Sequence, residues 1–186
     1  MYFTLSFFND NVHLILHTSV FRSAQLTKQK FIMLIEEKSI QSVLNLRGKA
    51  HAAWYQQEIE ASKTLGIQHY DIRLSAHKIP SNRQLVKLVS LIQKVPKPVL
   101  VHCRAGADRT GLAAASAVIL NNGTESEAER QVSWRYGVIS PTSVGYQVLK
   151  NYEAWLNKHN FKFSRKTFLV WAYSKPTLHP YWGYYL

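Results

Sequence analysis

Hydrophobic and polar positions along the chain switch between two periods. "LTKQKFIMLIEEK" places Phe31, Leu34 and Ile35 on one helical face. "VHLILH", "IQSVLNL" and "IQHYDIRL" read as short strands, the second closed by Arg47-Gly48. Between the last two, a stretch from about Ala52 to Leu65 is expected to be helical, with Gly66 as its stop. Ser81 with Gln84 and Thr124 with Glu127 have capping-box spacing. The first pair should open the helix "NRQLVKLVSLIQK". The second should open a helix ending near Tyr136-Gly137. "PVLVHC" is apolar without interruption, as a central parallel strand buried on both faces would be. The alanine-rich "TGLAAASAVIL" follows as a helix, and a last one is expected from about Thr142 to Asn157. Strands alternating with helices predict an α/β fold of three layers, a mostly parallel central sheet flanked by helices.

Composition narrows the class. A chain of 186 residues that is 46% hydrophobic and 18% charged is globular and long enough for one real core. The 23 Lys and Arg outnumber the 11 Asp and Glu, a net charge of +12 that favours an anionic partner. Nucleic acid is a poor candidate, because no binding motif accompanies the charge. The first residues lack the basic region and cleavage site of a signal peptide, and no apolar run approaches the roughly 18 residues that span a bilayer. The chain has one cysteine, Cys103, which excludes an internal disulfide and a cysteine-rich zinc site. A free thiol fits a reducing compartment, so a cytoplasmic or membrane-peripheral location is expected.

The end of the chain differs from the rest. After Glu153 there is no acidic residue, and from Phe161 onward there are nine aromatic ones. A domain over 1–160 and a basic, aromatic extension over 161–186 are therefore expected. The extension could lie on an anionic membrane surface, its rings at headgroup level. It could instead wrap back onto the domain, which the lack of a clear helical moment favours.

Candidate chemistry concentrates in "PVLVHCRAGADRTG". A strand ending in a short glycine-containing loop that turns into a helix aims backbone N–H groups and a positive helix end into one concavity, which suits phosphate. Arg109 at the end of the loop offers a planar fork for two phosphate oxygens. Cys103 at its start should be held as a thiolate by the same partial charges and would attack phosphorus in line. Arg104, Ala105, Gly106, Ala107, Asp108 and Arg109 would form the phosphate cradle, and Thr110 could hydrogen-bond the sulfur. Nine residues are arginine, so the Cys-x5-Arg spacing alone arises by chance about one time in twenty. The preceding strand, the internal glycine and the helix that follows supply the specificity.

"VHCRAGADRTG" resembles the signature loop of the cysteine-dependent protein tyrosine and dual-specificity phosphatases. "FRSAQLT", "VLNLRG", "LSAHKIPS" and "RYG" fall in the order found in small bacterial members, so the resemblance runs from about Val12 to Leu156. It implies two-step phosphoryl transfer through Cys103 with no cofactor or metal, with Arg109 binding phosphate and His102 supporting the loop. Arg22 is expected near the loop, whereas Arg47 could serve the site or only cap a strand. The general acid is open. Asp108 is preferred, because a "DRT" ending resembles myotubularin-type lipid phosphatases and bacterial phosphatases active on phosphotyrosine and phosphoinositides. Asp71, 32 residues before the cysteine, is the alternative and His77 a third candidate. Phosphotyrosine protein is the leading expected substrate, with phosphoinositides or soluble inositol phosphates as alternatives. Arg104 suits the lipids, but Ala107 departs from the lysine of several lipid-active loops. A phosphate-binding module without turnover and a sulfurtransferase are the rival classes.

Overall fold

The computed structural model describes residues 10–180, and the aromatic end of the expected extension, 181–186, lies outside them. In chain order the elements are β1 (His13–Leu14), β2 (Val20–Ser23), α1 (Lys28–Glu37), β3 (Ser42–Asn45), α2 (Ala53–Thr64), β4 (Gln68–Asp71), α3 (Asn82–Lys94), β5 (Val99–His102), α4 (Asp108–Leu120), α5 (Glu125–Arg130), α6 (Val144–His159) and α7 (Arg165–Tyr173). The strands form one sheet in the order β1-β2-β5-β3-β4, parallel except for the β1–β2 pair.

Side-chain alternation divides the sheet into two faces. Val43 and Leu100 pack with Phe31, Leu34 and Ile35 of α1 and Ala61 of α2. Leu44, Val99 and Val101 face the other way, into a larger core with α3, α4, α6 and α7. Along β5 the parity therefore sends His102 toward the α1–α2 layer and Cys103 toward α4. This is the three-layer α/β arrangement expected. From Thr110 to Leu120 every residue of α4 is buried, which its alanines allow by letting neighbouring helices close in. At the crossing with α6, a Cβ on Gly145 would lie 2.9 Å from the Leu112 nitrogen, so only glycine fits there.

Both capping boxes form, at Ser81–Gln84 and Thr124–Glu127. Two expectations change. "VHLILH" pairs over only two residues, and the strand beside β5 is β2, whose Arg22 interrupts any apolar signal. The helix opened by Thr124 stops at Arg130 rather than near Gly137, because the Ser133 hydroxyl donates to the Arg130 carbonyl and a separate 3-10 turn covers Trp134–Tyr136. Beyond 160 the chain enters the main core: Phe168 and Trp171 of α7 are buried against Tyr152. These two rings are not free to meet a membrane.

Candidate active site

β5 lies between β2 and β3, and the register aligns Ser23, His102 and Asn45 at the carboxyl end of the sheet. Open α/β sheets place ligands at this edge. Cys103 leaves β5 there, and the loop after it returns as α4 at Asp108. Gly106 has φ +70°, and a Cβ on it would lie 2.7 Å from the Ala24 nitrogen. The loop therefore rests directly on the backbone leaving β2, a fit and a dihedral open to glycine.

Arg22 braces the loop from below. It is wholly buried, and Nη2 donates to the Gly106 carbonyl at 2.8 Å. Nη1 donates to both the Gln131 carbonyl and its Oε1 at 2.9 Å, and the guanidinium lies 3.7 Å from the Tyr136 ring centroid. Burial brings its pKa down to about 10, so it remains charged at neutral pH. From above, Asn11 Nδ2 donates to the carbonyls of Ala105, Gly106 and Tyr136. Neither Asn11 nor Gln131 carries a signal in the sequence, since both act across more than 90 residues.

Cys103 is 2% exposed. Burial pushes its thiol pKa up, but the Thr110 hydroxyl, the Arg109 charge and the backbone N–H groups of Thr110 and Gly106 outweigh it, so the net direction is down. The Thr110 hydroxyl is buried and makes no hydrogen bond, which leaves it available to the nearby sulfur. Arg104 and Ala105 are exposed, whereas Gly106 and Ala107 are buried. Arg47 stacks 3.5 Å from the Trp54 ring centroid and donates to Gln25 Oε1. Its pKa is lowered by burial and then by the charges of Arg109 and, further down, Arg104. It stands close enough to the loop to feel the Arg109 charge, at the strand end beside Gln25.

The two candidate acids differ in freedom. Asp108 is the first residue of α4, half-buried, and its carboxylate makes no hydrogen bond among the described residues. Asp71 ends β4, two strands from His102, which is about 10 Å at normal strand spacing. Its oxygens accept from Asn45 Nδ2 at 2.8 Å and from the Tyr55 hydroxyl at 2.7 Å. His77 is exposed and lines a cavity of about 830 Å³ with Pro80, Thr142 and Leu178, a lining that includes no residue of the Cys103–Thr110 loop.

His102 turns away from the sulfur. Its Nε2 lies 3.0 Å from Glu58 Oε1, and Nδ1 faces the Cys103 carbonyl at 3.5 Å. The same Glu58 oxygen meets His69 Nε2 at 2.8 Å, and Oε2 accepts from Gln25 at 2.6 Å. Glu58 carries no signal in the sequence, because it sits in the polar-looking helix α2. It is 3% exposed there, on one stripe with Tyr55, Ala61 and Ser62. Among the described residues no group of three His, Cys, Asp or Glu could hold a metal ion.

Comparison with known proteins agrees with this geometry. The Saccharomyces cerevisiae inositol diphosphatase Siw14 is 28% identical over 97 residues, covering 50% of this chain and 34% of that protein. The chain thus matches about a third of the length of that relative. The Siw14 core catalytic domain, crystallised with citrate, superposes with a TM-score of 0.63 at 19% identity, covering 81% of this chain and 93% of that one. PTPMT1 gives a TM-score of 0.56 at 19% identity over 80% of this chain and 98% of its own. TpbA of Pseudomonas aeruginosa gives 0.52 at 20% identity over 69% and 76%. At these identities the superpositions show a shared phosphatase fold. The family model described as "Polymorphic toxin system, DSP-PTPase phosphatase" matches residues 17–123, which take in four of the five strands, Cys103 and the whole loop through Arg109. That match spans more than half of the sequence, and the chain accordingly belongs to this family of cysteine-based, dual-specificity-type phosphatases.

Proposed function

We propose that the protein removes phosphate from phosphorylated inositols by way of a phosphocysteine on Cys103. The observation that carries the reading is a buried Cys103 where β5 ends, in a loop seated on the β2 backbone at Gly106 that leads straight into α4 with Arg109 in its first turn. In the first step the thiolate attacks phosphorus, an S–P bond forms and the P–O bond to the leaving group breaks. Asp108 gives its proton to the departing oxygen. In the second step water attacks the same phosphorus and passes a proton to the Asp108 carboxylate. The S–P bond then breaks, inorganic phosphate leaves, and the thiolate is returned to Thr110. Arg109 binds the phosphoryl oxygens through both steps.

Substrate class follows from the rim. Arg47 and Arg104 add cationic charge around a loop that already holds Arg109, in a chain of net charge +12. A substrate with several phosphates meets this field better than a single phosphorylated side chain does. The likeness to an inositol diphosphatase, and to PTPMT1, which has been crystallised with PI(5)P, points the same way. Phosphotyrosine protein is the second reading, favoured by the similar TpbA fold crystallised with phosphotyrosine.

The test is phosphate release from a soluble inositol polyphosphate, an inositol pyrophosphate, vesicle-borne phosphoinositide and a phosphotyrosine peptide, with Cys103→Ser as the blank. Fastest release from an inositol compound is expected. Fastest release from the peptide would replace the substrate assignment. Release unchanged in Cys103→Ser would overturn the mechanism.

A further inference from the structure

The chemistry described so far leaves one buried charged group without a role. Glu58 lies in the middle of α2 behind the sheet, and three donors converge on its two oxygens: His102, His69 and Gln25. Two of these lead into the active site. His102 is the residue before the nucleophile, and its other ring nitrogen faces the Cys103 carbonyl. Gln25 has its backbone N–H on the Arg104 carbonyl at 3.1 Å and its side-chain oxygen on Arg47.

The polarity of this chain is fixed by chemistry. Arginine only donates and a carboxylate only accepts, so Gln25 must turn its oxygen to Arg47 and its nitrogen to Glu58. A ring with a carboxylate at one nitrogen and a carbonyl at the other satisfies both contacts only as the doubly protonated imidazolium. An imidazolium 98% shielded from water is tolerable only beside its counter-charge. Glu58 supplies it.

We propose that Glu58 is a positioning residue of the phosphatase reaction, holding His102 as a cation behind the nucleophile and, through Gln25, aiming Arg47 at the substrate. The inference rests on the phosphocysteine reading of Cys103. Other groups around this relay are His69 and Asp71 from β4 and Tyr55 from α2, with His69 Nδ1 3.7 Å from Asp71. Around the sulfur stand Arg109 and Thr110 of α4 and Arg22 of β2. None of these stands between Glu58 and His102. Burial favours a neutral His102 ring, and the Glu58 carboxylate reverses this, raising its pKa. Burial likewise opposes the Glu58 charge, and its partners hold it well below the usual carboxylate range.

Glu58→Gln tests the histidine arm at nearly constant volume. A neutral His102 that keeps its Nδ1 proton on the Cys103 carbonyl offers a lone pair at Nε2, so the new amide turns its nitrogen to the rings and its oxygen to Gln25, and Arg47 keeps its partner. Without the carboxylate, His102 becomes neutral and the thiolate loses a nearby positive charge. The pH midpoint for Cys103 alkylation by iodoacetamide should rise by about one unit, a roughly tenfold loss of reactivity on the acid side. The acid limb of kcat/KM for an aryl phosphate should move with it, while KM changes little. Gln25→Leu tests the other arm, because it removes the acceptor of Arg47 and leaves the Glu58–His102 contact in place. It should raise KM severalfold while leaving the alkylation midpoint nearly unchanged.

Alkylation reads the thiol without turnover, so failure of the positioning role is separable from failure of the phosphatase reading. A Glu58→Gln protein with a lower melting temperature but an unchanged alkylation midpoint would reduce Glu58 to a structural residue. If the variant does not fold, imidazole nitrogen NMR of the wild-type protein decides. His102 doubly protonated at pH 7 is the expected spectrum, and a neutral ring there overturns the proposal.

Discussion

Replacing Arg22 by leucine tests whether the loop is held from beneath or is self-supporting. The guanidinium makes three hydrogen bonds, to the Gly106 carbonyl and to the Gln131 carbonyl and Oε1. Exchanging a buried charge for an apolar side chain is often harmless when its partners are exchanged too. Here two of the partners are backbone carbonyls, which no substitution removes. Each acceptor left without a donor costs about 1–3 kcal/mol, which falls on the Gln131 carbonyl in full, whereas the Gly106 carbonyl keeps its bond from Asn11. Relief of the charge's own burial cost, already visible as a pKa of about 10, offsets part of the sum. A net loss of about 3–5 kcal/mol is expected, the range for breaking one side of a buried charged contact. For a chain of this length each kcal/mol lowers the melting temperature by about 2–4 °C, so a drop of about 6–20 °C follows. The assay is thermal unfolding beside kcat/KM for an aryl phosphate, which should fall more than about tenfold as the Gly106 carbonyl turns away. Arg22→Lys should lie between, because an ammonium cannot serve Gly106 and Gln131 with the same fork. A leucine variant melting within about 2 °C of wild type at full rate would refute the reasoning.

The acid and the leaving-group hydroxyl have their own signatures. Asp108→Asn should slow an alkyl phosphate by about a hundredfold or more while barely affecting an aryl phosphate whose leaving group needs no proton. If Asp71→Asn gives that split instead, the acid is Asp71 and the bonds from Asn45 and Tyr55 must open during the cycle. Thr110→Val keeps shape and removes the hydroxyl, leaving burial less opposed at the sulfur. The Cys103 thiol pKa should then rise, read as slower iodoacetamide alkylation at pH 6. An unchanged alkylation profile would mean that Arg109 and the loop N–H groups suffice.

What the sequence determined on its own is local in character. "PVLVHCRAGADRTG" contains within 14 residues the strand, the loop and the helix start that present Cys103 and Arg109, so their proximity needs no distant contact. The two capping boxes are likewise decided by side chains three residues apart. Parity along β5 already sets His102 and Cys103 on opposite faces.

Only the tertiary structure decided the rest. Resemblance places Arg22 near the loop without naming what it binds, and Glu58 looks like a solvated polar residue, because burial of a charge becomes tolerable only when partners arrive from elsewhere: Gln131 from 109 residues away, His102 from 44. The strand β2 has no apolar signature of its own, since its place beside β5 is fixed by parallel pairing across some 80 residues. The described part of the tail, up to residue 180, is likewise placed only by packing. Phe168 and Trp171 belong to the core because Tyr152 and α4 leave a face that these rings fill, a vacancy no composition can display.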